Sequence, residues 1–377
     1  MRIKISAKII PLLFSLLSVA ACGSGDGSLS PELEASLNEV VSRQKSDFGI
    51  PGILAGVWIP GEGQLVIENG LSDIQAGTAI RQEDHVRIGS VTKSFTVTLL
   101  LQLAEEGLLS LSDPVEQYLP GLQNGTASLA ELANMRSGIF NYTEDGDFVT
   151  EFVADFLRKW ESQELVDFAN AHQPYFPPGE GWHYSNTNTV ILGMIVEQVT
   201  GQPIGQVMQE RILGPLGLND TLYPSGPELP SPFAHGYGFD PLEDLSFTDP
   251  SSSAGSGAMY STLGDLKKWA EALGTGSLLS ASSQSERIGS LEPMAFSPCD
   301  DQVPERPKRD CPEYDRYGYG FGEISGWIGH TGEYVGYTSL VMYQPSSGSV
   351  VVIVANRFGV GAHVPTAIFR EFAALLN

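Results

Sequence analysis

Ser90 and Lys93 stand three positions apart in the run Gly89-Ser90-Val91-Thr92-Lys93. A serine hydroxyl attacks an acyl carbon only when a base takes its proton. On a helix, residues i and i+3 share a face with Cβ atoms about 5–6 Å apart. A helical turn here would bring the Lys93 amine to the Ser90 hydroxyl. A lysine shielded from water has a depressed pKa and can serve as that base. Gly89 would let another chain segment approach closely. The free amide of Ser90, at a helix start, could stabilise an oxyanion. Taken alone, Ser-x-x-Lys also fits a helix cap followed by a solvated lysine.

Two further clusters could complete such a site. In Tyr184-Ser185-Asn186, a phenol near an amine can carry a proton to a leaving group, and an Asn side chain can bind an amide. The plainer reading is a buried tyrosine before a helix. In His330-Thr331-Gly332, a strand edge can offer a second oxyanion amide. The plainer reading is a strand ending in a turn.

The elements that must position these residues follow from hydrophobic period and turn residues. Helical spacing predicts helices over 31–48, 94–107, 129–135, 163–172, 187–200, 204–212, 263–273 and 363–376. Short apolar or alternating runs at 53–58 and 64–68 predict an antiparallel hairpin around Pro60-Gly61. Strand patterns return at 327–330, 337–344 and 350–356. The expectation is an α/β protein: one antiparallel sheet, split in sequence by a helix-rich insert. Residues 31–90 and 318–377 would form the α/β part and 91–317 the helical part, with the site at their seam.

The amino terminus reads as an export signal. Arg2, Lys4 and Lys8 precede an apolar run from 9 to 21, too short to remain as a membrane span. Val19-Ala20-Ala21-Cys22 resembles the bacterial lipobox. That resemblance implies cleavage before Cys22, loss of residues 1–21 and lipidation of Cys22, with 22–30 as a Gly/Ser-rich tether. Gly23 is not an acidic retention residue, so an outer-membrane or cell-surface anchor is expected. Export permits a Cys299–Cys311 disulfide pinning a Pro-rich loop. The chain has 377 residues and a formal net charge of −24, which argues against nucleic-acid partners. No His-x-x-x-His pair or Gly-rich phosphate loop stands out, so neither metal nor cofactor is expected.

The three motifs, in this order, resemble penicillin-recognising serine enzymes. With Tyr-Ser-Asn and His-Thr-Gly boxes, the chain resembles the D-alanyl-D-alanine carboxypeptidase group with its class C β-lactamase and esterase relatives. The stretches Arg87–Phe95, Asn134-Met135-Arg136-Ser137-Gly138, Tyr184–Asn188, Ser253-Ala254-Gly255 and Gly318–Gly322 carry the likeness, which runs from about Pro31 to the end. It implies an α/β sandwich beside a helical subdomain. Ser90 would be acylated and Lys93 would activate it. Tyr184 would protonate the leaving group. Asn186 would hold the acyl amide, and Thr331, Gly332 and Glu333 would line the substrate. His330 would tune Tyr184 and Lys93 electrostatically in place of a lysine. The Ser90 and Glu333 amides would form the oxyanion hole.

The sequence departs from that pattern at the substrate end. Glu333 replaces a hydroxyl residue that helps bind a terminal carboxylate, and Glu323-Ile324 stand where an arginine would serve the same carboxylate. Like charges repel. An ester, an amide without a free carboxylate, or a cationic substrate is therefore favoured over a D-alanine terminus. Arg357 is a candidate replacement, against a solvent-facing cation. The expected partner is a small-molecule or peptidoglycan-type acyl substrate. The rival is a non-catalytic lipoprotein that binds peptidoglycan fragments. The oligomeric state stays open.

Overall fold

The computed structural model describes residues 27–294 and 314–376. The lipobox-like segment and the proposed Cys299–Cys311 pair lie outside the described residues. Among the described residues, no helix is long and apolar enough to cross a membrane.

The first helix, Pro31–Asp47, begins as its sequence dictates. Ser30 caps it by accepting from the amide of Leu33, and Pro31 occupies the first turn, where no amide partner is lost. The chain then enters a nine-stranded antiparallel sheet. In spatial order its strands are Thr78–Ala79, Gly63–Asp73, Gly52–Ile59, Val350–Ala355, Tyr337–Tyr343, Trp327–Tyr334, Phe321–Ile324, Arg316–Gly318 and Glu292–Pro293. The strands near the two chain ends meet at its centre, where Ile53 faces Ala355 and Trp58 faces Val350.

Strand alternation sorts the core into two. Ile53, Ala55, Val57, Leu340, Met342, Val351 and Ile353 pack on one face against Pro31–Asp47 and Val364–Leu376. Leu54, Val341, Val350, Val352 and Val354 join the other core, with Leu266, Trp269 and the helix Thr92–Glu105. Successive residues of Val350–Ala355 are thus apolar because both faces are covered. Truncating one of these side chains, as in Ile353→Ala, would cost about 2–5 kcal/mol.

The helical insert differs from its expected bounds. The helix Leu263–Thr275 packs against strands Tyr337–Tyr343 and Val350–Ala355, and Glu292–Pro293 is a strand of the sheet. The chain therefore rejoins the sheet near residue 263, well before 318. The helix Thr92–Glu105 starts two residues earlier than predicted, after a 3₁₀ turn at Gly89–Val91. Most of its side chains are buried, polar ones included, which makes it the central helix of the molecule. Trp327–Tyr334 runs through the His-Thr-Gly box, which is strand rather than turn.

Candidate active site

Ser90 is fixed from both sides. The preceding segment Val86–Arg87 pairs with Tyr260–Ser261, and the amide of Ile88 donates to the Met259 carbonyl. On the other side it abuts Trp327–Tyr334. The Ser339 hydroxyl donates to the Ile88 carbonyl at 2.9 Å. Two glycines permit this approach. A Cβ on Gly332 would stand 2.0 Å from the Ile88 carbonyl oxygen, and one on Gly89 (φ 50°) would stand 2.8 Å from the Glu333 amide nitrogen. The turn holding Ser90 thus lies directly against the Glu333 backbone. Strand Phe321–Ile324 pairs with the neighbouring strand only as far as Gly322 and Gly329. Beyond Gly329, among the described residues, this edge of Trp327–Tyr334 has no strand partner and lies against the turn holding Ser90.

The Lys93 side chain is fully buried, and its Nζ has three partners: Ser90 Oγ at 2.8 Å, Asn186 Oδ1 at 2.6 Å and the Ser256 carbonyl at 2.8 Å. It lies 4.8 Å from the centre of the Tyr184 ring. No carboxylate is among these contacts. Burial holds the Lys93 amine well below the ordinary lysine range. Ser90, Tyr184 and Asn186 are half-buried.

Asn186 opens the helix Asn186–Thr200, and its amide donates to Asn141 Oδ1 at 3.0 Å. Its side-chain Nδ2 donates to Thr143 Oγ1 at 3.1 Å. That contact orients the amide so that its oxygen meets Lys93. Nδ2 carries a second hydrogen, the one an acyl amide could engage. The Asn134–Gly138 stretch supports the same helix, since Ser137 donates to Asn188 Oδ1 at 2.7 Å.

His330 differs from its expected role. Its ring is 6.4 Å from that of Tyr184, but its Nε2 meets the Tyr317 hydroxyl at 2.9 Å and its Nδ1 meets the Thr331 carbonyl. Burial, the largest cause, pushes the imidazole down to about 3. It is neutral at physiological pH and does not supply the positive charge of a lysine. Thr331 is tied to Tyr314, whose hydroxyl lies 2.8 Å from Thr331 Oγ1. Glu333 is exposed, on the strand face it shares with Thr331.

Arg357 is no pocket residue. Its Nη1 donates to the Phe48 and Gly49 carbonyls at 3.3 and 2.8 Å, closing the turn after the first helix. Glu323 pairs with Arg316 through both carboxylate oxygens. Sequence reasoning missed the Ser256 carbonyl, Thr143 and Tyr317. The Ser253-Ala254-Gly255 stretch pointed to the first without giving it a role. Among the described residues, no group of three or more His, Cys, Asp or Glu side chains could hold a metal ion.

Comparison with known proteins agrees with this geometry. The Beta-lactamase family profile matches residues 37–375. Penicillin-binding protein 4* of Bacillus subtilis is 24% identical over 76% of this chain, and the chain spans 64% of that protein's length. Esterase EstB of Burkholderia gladioli is 27% identical over 71% of this chain and 74% of its own. Among solved structures, a D-stereospecific amidohydrolase from Streptomyces sp. is 31% identical with a TM-score of 0.72, covering 86% of this chain and 94% of its own. The D-amino acid amidase from Ochrobactrum anthropi SV3 is 25% identical with a TM-score of 0.76, covering 92% and 97%. With the profile spanning nearly the whole chain and the β-lactamase/transpeptidase-like fold shared with these neighbours, the chain belongs to the serine β-lactamase family of hydrolases.

Proposed function

We propose that the protein is a cell-envelope serine hydrolase that works through a Ser90 acyl-enzyme, on an ester or amide whose bound end lacks a free carboxylate. The surroundings of Lys93 Nζ carry this reading. Asn186 Oδ1 and the Ser256 carbonyl can only accept. They take the two hydrogens of a neutral amine. Its lone pair is then left for the third neighbour, Ser90 Oγ at 2.8 Å. The amine receives the hydroxyl proton as the serine oxygen attacks the acyl carbon. The developing oxyanion falls between the Ser90 and Glu333 amides, which Gly89 allows to converge. Tyr184, against the same amine, passes the proton to the leaving group and later helps a water release the acyl chain.

The substrate end follows from the rim. An exposed carboxylate stands at Glu333, while Arg357 is engaged at Phe48 and Gly49. A negative substrate terminus would meet repulsion there, and a neutral or cationic one would not. The esterase, amidohydrolase and amidase names among the relatives agree with this preference. The amino-terminal pattern ending at Cys22 supports lipid anchoring at the envelope, in the outer membrane or at the cell surface.

The test is acylation. Wild-type protein mixed with a chromogenic ester, a D-amino acid amide or a labelled penicillin should gain the acyl mass on the peptide containing Ser90. Ser90→Ala should gain none. No adduct on wild type from any of these donors would sink the proposal. Mass spectrometry of membrane-extracted protein, showing an acylated Cys22 as the first residue, checks the anchor separately.

A further inference from the structure

Tyr184 lies in a stretch, 171–185, that has neither helix nor strand. A ring from outside that stretch packs against it. Tyr317 is 1% exposed and stands on the short strand Arg316–Gly318. Its ring meets four others. It packs edge-on against Tyr184 at 6.1 Å and 85° and against Trp182 at 5.8 Å. It packs against Tyr314 at 5.3 Å and His330 at 5.8 Å. Edge-to-face pairs of this kind favour a fixed orientation.

The hydroxyl of Tyr317 adds a direction. His330 Nδ1 faces the Thr331 carbonyl, an acceptor only, so Nδ1 carries the ring hydrogen. Nε2 is then the acceptor, and Tyr317 Oη is 2.9 Å away as its donor. The Tyr314 hydroxyl also lies 3.1 Å from Nδ1; it receives the Thr331 amide at 2.7 Å and stands 2.8 Å from Thr331 Oγ1, which can accept its hydrogen and leave Nδ1 protonated.

We propose that Tyr317 is a positioning residue for the acyl-transfer reaction: its phenol locks one tautomer of His330, and its ring edge braces Tyr184 above Lys93. This rests on Ser90 being the nucleophile. Tyr317 touches neither Ser90 nor Lys93 and acts through the two side chains between which it is wedged. Unlike the three motif boxes, it cannot be found by local spacing. It precedes the Gly318–Gly322 run by one residue and meets its partners only in the folded sheet.

The experiment uses the full chain labelled with ¹⁵N-histidine, with His330 assigned by His330→Gln. In wild type the His330 signals should show a hydrogen on Nδ1 and a hydrogen-bonded Nε2. Tyr317→Phe keeps the ring and removes the donor. The Nε2 signal should move toward that of an unbonded nitrogen, and kcat for a chromogenic ester should fall about tenfold with KM within about twofold. Tyr317→Leu also removes the brace and should lower kcat further. Tyr317→Phe with unchanged kcat overturns the proposal. So does a fall in kcat with an unchanged Nε2 signal, which would mark a packing defect alone. The nitrogen signals need no turnover, so a wild type that forms no adduct would fail the nucleophile reading and leave the Tyr317–His330 bond still measurable.

Discussion

The helix Thr92–Glu105 touches two buried basic side chains with opposite fates. On the site side, Lys93 meets only neutral groups and is driven well below the ordinary lysine range by burial. Arg287, against Ser94 and Thr98 of the same helix, is also fully buried and also meets only neutral groups: the carbonyls of Tyr319 and Ser94 and the Thr98 hydroxyl. Burial lowers it too, but only to about 9, so it stays a cation at neutral pH. The same enclosure leaves an amine able to serve as a base and a guanidinium a structural charge. Residue type, more than surroundings, decides which buried nitrogen can do chemistry.

The strongest way to break the comparison is to exchange the types. Lys93→Arg should place a permanent cation beside Ser90 and lower kcat for an ester at least ~10³-fold, as read by burst kinetics and adduct mass. Substantial retained activity would show that the amine is not the base. Conversely, Arg287→Lys should leave acylation measurable while destabilising the fold by about 1–3 kcal/mol in urea titrations, because one ammonium cannot reach the three acceptors that the guanidinium spans.

A pH series sharpens it further. Each group has a folded pKa below its unfolded value, so the unfolded chain holds the extra proton between the two, and stability rises with pH across that window. For Lys93 the window opens well below 10.5 and closes near 10.5. For Arg287 it opens at about 9 and closes at the ordinary arginine value. Relative to wild type, Lys93→Met should therefore lose stability steadily as pH rises through the Lys93 window toward 10. Arg287→Met should hold a constant difference until about pH 9. Urea midpoints at pH 6 to 10 would show whether the two curves separate.

Smaller effects lie at the surface. Glu333→Thr should shift preference toward substrates bearing a terminal carboxylate by about tenfold in kcat/KM, on removing one repulsive charge. The half-buried surface pair Lys267–Glu271, 3.0 Å apart one helical turn along, should matter least: Glu271→Gln should change stability by under ~0.5 kcal/mol.

What was legible in the sequence was local. Ser90 and Lys93 meet because they are one turn apart on the same chain, and the two sides of the sheet were visible in apolar runs such as Val350–Ala355. What was hidden needed the fold. The Ser256 carbonyl reaches Lys93 from 163 residues away, and any residue type could have supplied it. His330 was given an electrostatic role in place of a lysine from its position in a motif, but its charge depends on burial, which Tyr317 and Tyr314 help to provide. The short helices Gly146–Ala154 and Ala281–Gly289 went unread, as did the helix Leu263–Thr275 as a partner of the sheet.

The contact between Gly89 and the Glu333 backbone also limits how this protein can change. A methyl group at position 89 would drive two backbone segments apart, and no rearrangement of a flexible side chain could absorb it. In a library randomised at 89 and 333 and selected for turnover, the first position should return glycine alone. The second should return many residue types, each with its own choice of substrate. Diversification would thus proceed on the rim while the hinge beneath it stayed frozen.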